Sequence, residues 1–268
     1  MKLSSFNSEL NCLFEKLVDE HGLKFERQET ALINSINSAI NSTKKPITVI
    51  GGHNSISNVK LAKKVSGVNK FGKEPFADIE ILTKGKTYLI SAKGPTAPSL
   101  GGGGMEGLNF TFPELIRNFL SKAEELLVKR GIKANQVEVP NIYGKISDKI
   151  QLKLLAGTPE LGGPIDYVYI GAMDPNPKLI GNRLELDGQF LTPAEILIHK
   201  GDVYLRIRKR RDDQSFEPGR KDKAGLPAIF GQSPSKPGEV NRRLVVTNDV
   251  PKNALIINLW LRVRYLIK

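Results

Sequence analysis

The residues with the most chemistry in them lie between positions 77 and 106. Two strand-like runs, Ala77-Asp-Ile-Glu-Ile-Leu82 and Thr87-Tyr-Leu-Ile-Ser-Ala-Lys93, flank Thr83-Lys-Gly-Lys86, with a glycine where a tight turn calls for positive φ. With Lys84-Gly85 at the turn, Asp78 stands opposite Ser91. Opposed residues share a face and the period along each strand is two. One face therefore carries Asp78, Glu80, Leu89, Ser91 and Lys93, and the other Ile79, Ile81, Tyr88, Ile90 and Ala92. The second set is uninterrupted and apolar, so it packs on the core. The first suits phosphodiester hydrolysis. A hard oxygen ligand such as Asp78 holds Mg²⁺, the metal makes a nucleophile of bound water, and Lys93 positions that water and offsets phosphate charge. A second carboxylate is needed. Glu106, behind the glycine run 101–104 that lets the backbone turn back, is one candidate, and Glu80 on the strand face is the other.

These residues must be positioned by the surrounding elements. Phe6, Leu10, Leu13, Phe14, Leu17 and Val18 give a helix over 6–21 that Gly22 stops, and Ala31, Leu32, Ile36 and Ile40 give a weaker one over 28–42. Residues 46–50 read as a strand ending at Gly51-Gly52, while 53–76 is basic and polar without an assignable element. Thr111-Phe-Pro-Glu114 has the form of a capping box opening a helix to Gly131, with Leu115, Ile116, Phe119, Leu120, Ala123, Leu126 and Leu127 on its apolar face. Residues 165–172 read as a buried strand beyond a crossover helix. Thr192-Pro-Ala-Glu195 opens a short helix to about His199, and 203–210 alternate as a strand. A proline-rich polar loop over 212–241 and late strands at 244–247 and 254–267 complete the chain. No repeat or linker stands out, so one mixed α/β domain over 1–268 is the simplest organisation.

The 268 residues include 40 Lys+Arg against 28 Asp+Glu, a net charge of +12, which points to a polyanion partner, with nucleic acid the leading candidate. Tyr204, Arg206, Arg208 and Arg210 share one face of the 203–210 strand, and Arg220, Lys221 and Lys223 follow. All seven are candidate DNA contacts, set against the plainer reading of a solvated face balanced by Asp212 and Asp213. The single cysteine, Cys12, excludes a disulfide framework and a cysteine-based zinc cluster, and His21, His53 and His199 lack metal-ligand spacing. His53 reads as a turn residue, and Cys12 and Trp260 as core. The run at 101–104 lacks the G-K-[ST] ending of a phosphate-binding loop, so no nucleotide cofactor is expected. No apolar run is long enough for a membrane span and no signal-peptide pattern opens the chain, so a cytoplasmic location away from membranes is expected.

The strand with Asp78, the turn and Ser91-Ala92-Lys93 resemble the PD-(D/E)xK nuclease superfamily, with two departures: the nearest proline is Pro75, and Ser91 stands where the motif has Asp or Glu. Ser91, Lys93 and Glu106 resemble more closely the type II restriction-endonuclease branch in which the motif reads Ser-x-Lys and the glutamate is relocated. The resemblance implies a restriction-endonuclease-like core, a central mixed β-sheet flanked by helices, over about 46–172, with recognition elements within 132–165 and 200–243. It implies Mg²⁺ held by Asp78 and Glu106 with the Ala92 carbonyl, Lys93 orienting the water, Ser91 in support, and a further glutamate from the N-terminal region, with Glu9, Glu15, Glu20, Glu26 and Glu29 as candidates. The expected partner is double-stranded DNA, cut by a homodimer to leave 5′-phosphates. A structure-directed nuclease and a catalytically inactive DNA-binding protein are the alternatives.

Overall fold

The computed structural model describes residues 28–95, 104–209, 212–231 and 242–259, less the side chains at 104–106, 200, 242 and 243. The chain is a mixed α/β protein that divides into two compact units, each assembled from separated stretches. The described part of the first unit comprises 28–67, 77–95 and 165–192, and that of the second 68–76, 104–164 and the described residues from 193 onward. The candidate core segment 46–172 is shared between them. The expected helix over 6–21, with Glu9, Glu15, Glu20, Glu26, Cys12 and His21, lies outside the described residues, as do Arg210 and Trp260.

The first unit is built on an eight-stranded mixed sheet. Its strands are β1 (Ile47–Gly51), β2 (Asn54–Lys64), β3 (Ile79–Thr83), β4 (Thr87–Lys93), β6 (Tyr167–Ile170), β7 (Lys178–Ile180), β8 (Arg183–Leu186) and β9 (Gln189–Leu191), in the order β7-β8-β1-β2-β3-β4-β6-β9. β1 to β4 form an antiparallel meander, and β4 pairs in parallel with β6, the strand expected after a crossover. The β3–β4 register is the one read from the sequence: Ile79 faces Ile90, Glu80 faces Leu89 and Ile81 faces Tyr88. Ile79, Ile81, Ile90 and Ala92 are buried, and Tyr88 packs against the same cluster. Helix α1 (28–43) contributes Leu32, Ile36 and Ala39 to that cluster. The turn differs from expectation at one residue. Gly85 is not in the left-handed region, and Thr83 stabilises the turn instead: its Oγ1 accepts from the Lys86 amide at 3.1 Å and donates to the Lys86 carbonyl at 2.8 Å.

β2 occupies the stretch that the sequence leaves unassigned. Its buried residues, Ile56, Val59 and Ala62, recur every third position rather than every second. Pairing shifts on both edges of the strand, and Asn58 has φ +57°, so β-bulges reset the parity of the side chains. Asn37 of α1 substitutes for a strand partner at this irregularity. Its Nδ2 donates to the Ala62 carbonyl at 2.8 Å and its Oδ1 accepts from the Ala62 amide at 2.9 Å.

The second unit holds a four-stranded sheet in the order β13-β10-β5-β14, made by β13 (Arg242–Thr247), β10 (Tyr204–Lys209), β5 (Ile142–Lys145) and β14 (Leu255–Asn258), and a hairpin of β11 (Phe216–Lys221) and β12 (Pro227–Phe230). Its helices are α2 (Gly104–Thr111), α3 (Pro113–Lys129), α4 (Asp148–Ala156) and α5 (Pro193–Lys200). α3 buries Leu115, Ile116, Phe119, Leu120, Ala123 and Leu127, the expected apolar stripe with Leu126 at its margin. The expected capping box does not form. Thr111 ends α2, where its hydroxyl donates to the Gly107 carbonyl at 2.8 Å, and Phe112 takes the cap position of α3 with Pro113 in the first turn. The β11–β12 hairpin corrects the reading of 212–241 as loop: Phe216, Leu226, Ala228, Ile229 and Phe230 are buried in it. Among the described residues no helix is long and apolar enough to cross a membrane.

Candidate active site

Asp78 immediately precedes β3. Its amide donates to the Ile90 carbonyl at 2.9 Å and its carbonyl accepts from the Val65 amide at 3.0 Å, so β4 and the residue that follows β2 fix its backbone from both sides. Its carboxylate is oriented by β4. Oδ2 accepts from the Ser91 hydroxyl at 2.9 Å and from the Ala92 amide at 2.7 Å, and the Lys93 ammonium lies 3.5 Å away. Ser91 is buried, so its hydroxyl serves Asp78 rather than solvent. The Asp78 and Lys93 side chains keep 22% and 25% of their surface, enough for a ligand to reach them.

α1 brings a second carboxylate. Burial, and after it the negative charge of Asp78, hold the Glu29 carboxyl above the usual range, against the pull of Lys64 and Lys93. Lys64 of β2 lies 3.3 Å from Glu29 Oε2. The preceding residue, Gln28, is buried and ties α1 to the ends of β4 and β6: its Nε2 donates to the Gly171 carbonyl at 2.8 Å and to the Lys93 and Ala172 carbonyls at 3.3 Å. A helix of modest apolar periodicity is thereby anchored by an amide, a signal that hydrophobic patterning does not carry.

Of the residues expected at the site, Asp78, Ser91, Ala92 and Lys93 come together, and Glu29 joins them. Glu80 shares their strands but is in a cross-strand ion pair with Lys63 at 3.0 Å. Glu106 falls in α2, in the second unit, and its side chain is outside those described. His53 lies in the β1–β2 turn, as expected. Comparison of the chain with family models, curated proteins and solved structures gives no match.

Among the described residues no three Asp, Glu, His or Cys side chains cluster as a metal cage. The donor chemistry here nevertheless suits Mg²⁺, which binds through one or two carboxylates and keeps much of its water. Two carboxylates that repel one another, one of them part-buried, are the arrangement that a hard dication relieves.

The candidate DNA contacts lie on the second unit. On β10, Tyr204 and Arg206 are half-buried and Arg208 is exposed. Arg206 donates to Asn141 Oδ1 at 3.1 Å and lies over the Tyr143 ring. Arg220 is paired with Glu217, and Lys221 lies 4.0 Å from Glu124, so both meet a carboxylate of their own chain. Lys223 is exposed in the β11–β12 turn. Among the described residues neither Asp212 nor Asp213 forms an ion pair with Arg206, Arg208 or Lys209.

Proposed function

We propose that this chain is a Mg²⁺-dependent endodeoxyribonuclease hydrolysing the phosphodiester bonds of double-stranded DNA, in the manner of the PD-(D/E)xK superfamily. The observation that carries the reading is the convergence of Asp78, Glu29 and Lys93 at one end of the β3–β4 pair, with Ser91 and the Ala92 amide orienting the Asp78 carboxylate. Asp78 and Glu29 are the residues that would hold Mg²⁺, with the Ala92 carbonyl as the resemblance implies. Bound there, the metal supplies a more acidic water and neutralises charge building on the phosphate. Asp78 keeps Oδ1 outside its hydrogen bonds to β4, so orienting the carboxylate leaves that oxygen for a ligand. Lys93 holds the attacking water and a phosphate oxygen, and its charge offsets that of the pentavalent transition state. Ser91 takes the place of the motif's acid as a positioning group. Glu29 takes the part assigned from the sequence to Glu106.

Within this class the reading extends to a type II restriction endonuclease, a homodimer cutting a specific sequence to leave 5′-phosphates. Two active sites related by a twofold axis match a palindrome.

The test is a digest of a long linear phage genome with Mg²⁺ or with EDTA, beside Lys93→Ala. The expected result is discrete Mg²⁺-dependent fragments, with the variant slower by ~10³-fold. A smear, or cleavage confined to branched substrates, replaces sequence specificity with the structure-directed alternative. DNA left intact by the wild type on linear and branched substrates overturns the nuclease reading and leaves a binding protein.

A further inference from the structure

The end of the β10–β13 pair has an unusual charge arrangement. β5 pairs with β10 only over Tyr204–Ile207, whereas β13 continues through Lys209. The last two rungs, Arg208 opposite Arg243 and Lys209 opposite Arg242, therefore run past β5 as a two-stranded ribbon. Every residue on both rungs is cationic, and the sequence goes on to Arg210 and Arg211. Partners at directly opposed positions have Cβ atoms about 5 Å apart, and like charges placed so are destabilising. Among the described residues no carboxylate pairs with Arg208 or Lys209, and the Lys209 ammonium donates to the Val137 and Asp212 carbonyls at 3.0 and 2.9 Å. Two consecutive like-charge rungs are the reverse of what cross-strand pairing favours, and an anion lying between the charges offsets that cost.

We infer that this ribbon is a contact surface for the phosphate backbone of duplex DNA, with Arg208, Arg242 and Arg243 neutralising phosphates. A two-stranded antiparallel ribbon is an element that the major groove admits, and the backbone supplies a row of fixed negative charges for a row of fixed positive ones. The inference rests on the nuclease reading for its choice of DNA. It adds Arg242 and Arg243 to the contact residues named from the sequence and moves the weight away from Arg220 and Lys221, which already meet carboxylates.

The experiment measures binding of a labelled 30-base-pair duplex by fluorescence anisotropy, in EDTA to prevent cleavage, over a series of salt concentrations. The proteins are the wild type, Arg208→Gln, the double variant R242Q/R243Q, and Lys178→Gln, a charge-matched change on β7. The slope of log affinity against log salt should shrink by about one for Arg208→Gln and about two for the double variant. At 0.1 M salt the double variant should bind about tenfold more weakly, while Lys178→Gln stays at wild-type values. Thermal melting without DNA controls for folding, and relief of the like-charge rungs should leave the ribbon variants melting at or above wild type in low salt. Wild-type binding with slopes unchanged in both ribbon variants overturns the ribbon and leaves the nuclease reading intact. A wild type that binds no duplex at any salt overturns both.

Discussion

Glu29 is the residue at which electrostatics and the proposed function pull in opposite directions. Its carboxyl is held above the ordinary range, first by burial and then by Asp78. A carboxyl with a raised folded-state pKa contributes stability that is complete below its unfolded pKa and lost as pH rises through the folded value. At neutral pH, then, ionised Glu29 is a cost that the fold carries. Glu29→Gln should raise Tm at pH 8 by ~2 °C, with the difference vanishing near pH 4, and should slow Mg²⁺-dependent cleavage ~10²-fold. A variant that melts below wild type at pH 8 defeats this account. For the wild type, the Mg²⁺ concentration giving half-maximal cleavage should climb as pH falls toward the carboxylate range, and should begin to do so at a higher pH than for an ordinary carboxylate, because Glu29 takes up its proton earlier. In the sequence Asp78, Ser91 and Lys93 can be singled out because strand parity places them on one face. Glu29 is one of five candidate glutamates there, and it is the one that falls among the described residues, where the packing of α1 brings it to Asp78.

At the scale of elements, α1 is secured by two amides with different duties. Asn37 bonds Ala62 where β2 bulges, away from the candidate site, and Gln28 bonds the carbonyls of Lys93, Gly171 and Ala172 beside it. Leucine at either position leaves buried backbone groups without a partner and should cost about 2 kcal/mol in a denaturant melt. Only Gln28→Leu should also reduce kcat in the digest, since it alone frees the strand end carrying Lys93. Equal effects on kcat from both variants would mean that general loosening is responsible. The β3–β4 register is legible in the sequence because its inner face is uninterrupted and apolar, and the α3 stripe for the same reason. β2 is not, because its bulges break the alternation by which strands are recognised. β11 and β12 are hidden by Pro218 and Pro227, which read as breakers but sit at tolerated positions of a two-stranded edge. The capping box misleads because Thr111 is claimed by the helix before it.

For the molecule as a whole, a net charge of +12 sets an expectation independent of any single contact. Affinity for a non-specific duplex should fall by on the order of 10³ between 50 and 200 mM salt, measured by filter binding. Affinity indifferent to salt would point away from nucleic acid. The division into two units cannot be read from composition, because neither is bounded by a linker. Each is made of stretches that the other interrupts.

For a nuclease of the proposed kind, that interleaving bears on when the chain becomes dangerous to its maker. Asp78 and Lys93 leave the ribosome early, but β6, which pairs with β4, and the Gly171 and Ala172 carbonyls that hold Gln28 are translated only after the intervening stretch of the second unit. Half-made or prematurely terminated chains thus contain Glu29, Asp78, Ser91 and Lys93 without the strand that locks them into register. For an enzyme of the proposed kind, synthesised beside the genome it could cut, chain order is itself a safety catch, released only when the last part of the sheet has emerged.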